Sequence, residues 1–165
     1  MCCFIVSEAT KRSLELIERL TGGDDDEENV SRHRNMVIVL GCVAEKMAGP
    51  RAVSLLTDST LHYLLSNLAP DKHSRVTLFS LVALEKFAQT SENKINITKK
   101  LQNYSSDNHP LLVLQNKFLK SDDYGEREVG FCAQWCLDNI FMIESRQFSY
   151  QVTNTTHINM MLNSR

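Results

Sequence analysis

Apolar residues recur along this chain at helical spacing, and no segment sustains the alternation of a strand. Ser7 is placed to cap a first helix, with Ala9, Leu16, Ile17 and Leu20 on one face before Thr21-Gly22-Gly23 ends it. A second helix is predicted from about Ser31 to Met47, its stripe formed by Met36, Leu40, Val43 and Met47 and widened by Val37 and Ala44. Gly49-Pro50 stops it. A short apolar turn is expected over Ala52–Leu56. Asp58 or Ser59 then caps a helix with Leu61, Leu64, Leu65 and Leu68 inward, closed by Pro70. The segment from about Ser74 to Gln89 keeps little polar face, which predicts a helix buried on several sides at the centre of the domain. A short helix is expected around Ile97–Tyr104. Pro110 opens the next, with Leu111, Leu114 and Phe118 inward. The last long helix, about Arg127–Ile143, carries Val129, Phe131, Cys132, Trp135, Cys136, Ile140 and Ile143, and Ile158, Met161 and Leu162 predict a final short one.

Two of these helices repeat each other. "LGCVAEKMAG" from Leu40 and "SLVALEKFAQ" from Ser80 align forty residues apart, with His33, Glu45, Lys46 and Ala48 matched by His73, Glu85, Lys86 and Ala88. A third copy aligns Val76 with Val129, Leu78 with Phe131, Leu84 with Leu137 and Phe87 with Ile140. Periods of about 40–47 residues with two or three helices each mark armadillo and HEAT arrays. The expected fold is therefore all-α, a right-handed armadillo/HEAT-like helical repeat array, the alternative being an irregular α-helical bundle. Stacking such units creates a continuous core and a long groove.

The 165 residues fit one domain. The net charge of −2 and pI near 6.2 speak against a generic nucleic-acid binder. No stretch has the length of a membrane span or the core of a signal peptide, so no membrane partner is expected. The five cysteines, Cys2, Cys3, Cys42, Cys132 and Cys136, are odd in number and read as reduced, which points to a cytoplasmic protein. Acylation of Cys2-Cys3 and use of the four sequons at Asn29, Asn96, Asn103 and Asn154 are left open.

Candidate chemistry is sparse. The acidic run Asp24–Glu28 lacks the alternating ligands of a calcium loop and reads as a solvated loop. Glu45-Lys46 and Glu85-Lys86 sit near helix ends, where the lysine complements the helix dipole. Cys132 and Cys136 share a helix face, but no second Cys or His pair stands at zinc-ligand spacing, and core packing is the expectation for both. Trp135 is expected in the core against the Phe79–Phe87 helix, so that its truncation would cost about 3–5 kcal/mol. His33, His62, His73, His109 and His157 form no nucleophile arrangement, and no glycine-rich phosphate loop exists. No catalytic, cofactor-binding or metal residue is assigned.

Four stretches carry a resemblance: "LGCVAEKMAGP" at Leu40–Pro50, "LVALEKFAQTSENKI" at Leu81–Ile95, "VGFCAQWCLDN" at Val129–Asn139 and "INMMLNS" near the end. In this order they resemble the helical region that precedes the SPRY domain in the RING finger and SPRY domain-containing protein family, over roughly residues 31–164. The family pattern reads G-F-C-A-Q-W-S where this chain has Cys136, and Lys99–Asp123 matches poorly. The resemblance implies a RING-type ubiquitin ligase whose zinc lies in the RING. The chain contains neither the SPRY nor the RING, so it is expected to be the helical part alone, as a fragment, short isoform or truncated gene model. The implied function is a non-catalytic protein–protein interaction module, with ligase components or ubiquitination substrates as partners. The alternative is an independent armadillo-like scaffold without a ubiquitin role. The expected organisation is an N-terminal helix and acidic loop over 1–30, the repeat domain over 31–145, and a tail with a short helix over 146–165.

Overall fold

The computed structural model describes residues 27–47 and 50–141. Over them the chain is all-α, with no strand. The helices are α1 (Glu27–Lys46), α2 (Pro50–Leu55), α3 (Asp58–Ser66), α4 (Ser74–Ala88), α5 (Ser91–Leu101), α6 (Pro110–Phe118) and α7 (Tyr124–Phe141), with one 3-10 turn at Ser106–Asn108. The expected helices near Ser7 and Ile158, residues 1–26 of the expected first segment and the whole expected tail lie outside the described residues, and the expected boundary at 30/31 falls within α1.

Local chemistry explains where the helices begin. Glu27 and Glu28 form the first turn of α1, where acids complement the positive dipole end, so the end of the acidic run is helical and not a loop. Glu28 also pairs with Arg32 one turn on. The apolar segment 52–56 belongs largely to α2, a short helix opened by Pro50. Neither Asp58 nor Ser59 caps α3. The cap is Thr57, whose hydroxyl accepts from Thr60 N–H at 3.2 Å and leaves Asp58 in the first turn. α5 starts at Ser91, six residues before the expected helix, because its inward stripe is only Asn93, Ile97 and Leu101. Asp123 accepts from Glu126 N–H at 2.9 Å, which starts α7 three residues earlier than expected.

α4 is the centre, as its apolar circumference predicts. It packs against α1, α3, α5 and α7. Val76, Leu81, Ala83, Leu84 and Phe87 are buried, and its two inward hydroxyls are satisfied within the backbone: Thr77 donates to Asn67 O at 3.0 Å and Ser80 to Val76 O at 2.9 Å. α1 lies along one flank, with Gly41 opposite Ala83. α7 lies along the other, where the Cys136 thiol sits 3.7 Å from Leu81 O. α6 packs against α7 at Gly130, to one side of its buried stripe. A Cβ at Gly130 would stand 2.5 Å from Leu119 N and 2.6 Å from its Cα, so only glycine permits this approach.

One polar link ties α1 to α3. The Tyr63 hydroxyl lies 3.0 Å from His33 Nδ1, and the rings stack at 5.7 Å. Burial raises the Tyr63 phenol to about 12, against a smaller opposing effect of its bond with Asn67.

Gly130→Ala should destabilise the protein by about 1–3 kcal/mol or more, the range for overpacking. Gly41→Ala, whose new methyl would meet Ala83 at ordinary contact distance (3.6 Å or more), should be neutral or stabilise by up to about 1 kcal/mol through helix propensity. Urea unfolding of the two variants checks the contrast.

Tyr63 also sets an alkaline limit. Its folded pKa lies above the unfolded value of 10.0, so the folded state holds the proton more tightly. The resulting stability is fully present below pH 10 and is lost as pH rises through about 12, a fall of about 2–3 kcal/mol. Unfolding curves across that window should show the loss in the wild type and its absence in Tyr63→Phe.

Candidate interaction face

The inward stripe of α7 is Val129, Ala133, Cys136 and Ile140, spaced i, i+4, i+7 and i+11. A helix turns roughly 100° per residue, so Tyr124, Phe131 and Trp135 fall on the opposite side. They are 68%, 59% and 46% exposed. The expected core position of Trp135 is thus overturned. The physical reason is the close approach of α4 and α6. Val129, Ala133, Cys136 and Ile140 take the buried face, Gly130 stands tight against Leu119, and Phe131 and Trp135 lie half a turn away.

The neighbouring helices carry exposed apolar residues of their own. In α4, Ala83 turns toward α1, Leu78 and Phe79 are partly buried against the core, and Val82 is exposed. Val39 and Cys42 hold the exposed side of α1. Along α7 the stripe from Tyr124 to Trp135 is about 16 Å long at about 1.5 Å per residue. Asn139 donates to Trp135 O at 2.8 Å in the turn beyond it.

The repeated Glu-Lys pairs meet across the α1–α4 flank. Lys86 Nζ lies 3.6 Å from Glu45 Oε1 and 3.7 Å from Glu85 Oε2. The second copy's lysine therefore bridges its own glutamate and the first copy's, a cross-helix role beyond the expected dipole effect. Exposed pairs of this kind contribute about 0–1 kcal/mol.

Cys136 is buried, as core packing predicts, while Cys132 is half-buried. The hydrogen bond between the two thiols pushes Cys136 well above the usual thiol value, with burial and Glu85 adding to it, and draws Cys132 down. Among the described residues no group of three or more His, Cys, Asp or Glu side chains could hold a metal ion, and no helix is long and apolar enough to cross a membrane. His33, His62, His73 and His109 remain scattered: His33 binds Tyr63, His73 caps α4 and His109 is buried at the start of α6. His157 lies outside the described residues. No family model matches the chain, and no solved structure matches it.

The outward ring makes Trp135 a cheap residue to lose. Trp135→Ala should cost under about 1 kcal/mol, as surface substitutions do, whereas Phe87→Ala, fully buried in α4, should cost about 3–5 kcal/mol. Because Trp135 is the single tryptophan, its fluorescence reports this face alone, and the native emission should be that of a solvated indole.

Proposed function

We propose that this chain is the non-catalytic helical repeat module of a RING-and-SPRY-type ubiquitin ligase, and that it holds an extended segment of a protein partner. The observation that carries the binding role is the exposed Phe131–Trp135 pair, one turn apart on α7. Adjacent exposed aromatic rings of this kind characterise protein-binding surfaces, where tryptophan and tyrosine serve as anchors. The array reading draws support from the succession α1, α4, α7, side by side, with shorter helices joining them. Stacked units of that sort present a long face suited to an extended chain. The ubiquitin context rests on the resemblance of the four quoted stretches.

The module itself transfers no ubiquitin. A RING is built on two zinc sites of four ligands each at defined spacing, and the five cysteines and five histidines are too dispersed in sequence to supply them. In a ubiquitination assay with activating and conjugating enzymes, adding the chain should produce no polyubiquitin, and the preparation should carry no stoichiometric zinc. Either finding in the positive would overturn the assignment. Pull-downs with the chain and with a version extended through SPRY and RING domains should retain shared partners. Phe131→Ala with Trp135→Ala should lose them at unchanged helicity. Partners unrelated to ubiquitin transfer would instead favour an independent scaffold.

A further inference from the structure

A second surface lies away from the aromatic face. Between the first turns of α1 and the start of α4 is an open cleft of about 430 Å³, lined by Glu27, Val30, Ser31, Arg34, His73 and Arg75. Among the described residues two fixed cations, a hydroxyl and an imidazole converge on it, against one carboxylate. Among the described residues neither arginine forms an ion pair with a carboxylate. Arg34 reaches only Ser31 Oγ, at a long 3.4 Å. The His73 Nδ1 accepts from Arg75 N–H at 3.2 Å, which places the ring proton on Nε2 and leaves that N–H as a donor.

We infer that this cleft binds a phosphate group carried on a side chain of a protein partner. Guanidinium forks are matched in geometry to phosphate oxygens, and clustered arginines are the usual reader of phosphorylated segments. Two guanidinium charges outweigh the one Glu27 carboxylate, and because attraction and repulsion both scale with the anion's charge, the net attraction is about twice as large for a phosphate dianion as for a single carboxylate. The cleft is also wider than a phosphate needs, and it is open, so flanking peptide has room on either side. The inference goes beyond the aromatic face and does not depend on it.

The test uses calorimetric titration of the full chain with three probes: a phosphoserine peptide flanked by alanine and glycine, the same peptide without phosphate, and inorganic phosphate. The phosphopeptide should bind. Arg34→Ala and Arg75→Ala should each weaken it about tenfold, while Glu27→Gln should tighten it a few-fold by removing the repulsion. Added salt should weaken it. Phe131→Ala with Trp135→Ala should leave it unchanged, which separates this site from the partner face. Matching circular dichroism spectra keep the variants comparable. The inference is overturned if the phosphopeptide fails to bind, if the unphosphorylated peptide binds equally, or if both arginine variants bind as the wild type does. Inorganic phosphate binding as tightly as the peptide would assign the cleft to the free anion and overturn the partner reading.

Discussion

Everything in this structure is arranged around α4, a helix that leaves almost no polar face for water. A helix of this kind is unstable alone, since its apolar circumference must be covered from several directions at once. α1 and α7 take its two flanks, and α3 and α5 also pack against it. Burial of Leu81, Ala83, Leu84 and Phe87 is therefore shared among elements distant in sequence, and losing any one flank exposes the others' contact surface. Glycine sets how closely the chain approaches at one of these contacts, Gly130 against Leu119 at the end of α6.

The same crowding creates the outward aromatic face. The buried stripe of α7, which includes Val129 and Ile140, takes the side toward its neighbours, so residues half a turn away face outward. Phe131 and Trp135 are exposed because Gly130, Ala133 and Cys136 are buried. The buried stripe and the exposed aromatic face of α7 thus follow from one helical register.

Much of the architecture was legible in the chain. The stripes of α3, α4 and α6 are dense in leucine, and their inward residues are those the 3.6-residue period predicts. α5 was read too short because Asn93 takes a buried position, and a polar residue breaks an apolar count. The cap of α3 went to Thr57 because a threonine hydroxyl one residue earlier competes with Asp58 for the same role. Trp135 was misread through residue type. Its own helix held the correction, for Val129, Ala133, Cys136 and Ile140 repeat the spacing of Met36, Leu40, Val43 and Met47, and that register turns Trp135 away from the core. The Arg34–Arg75 cleft left no mark in the sequence at all, because it depends on bringing together the starts of α1 and α4.

The repeated Glu-Lys pair illustrates what a repeat adds to a fold. Within one helix, glutamate followed by lysine does little beyond complementing the helix end. Placed side by side, two copies bring the Glu45 carboxylate to the Lys86 ammonium, with Glu85 on its other side. The pair is half-exposed and weak, so its value lies in register more than in stability. A shift of α1 by one residue along α4 would turn Glu45 away by about 100° and also drive a side chain into the space that Gly41 leaves for Ala83. Steric and charged contacts on the same flank therefore select one alignment of the two helices.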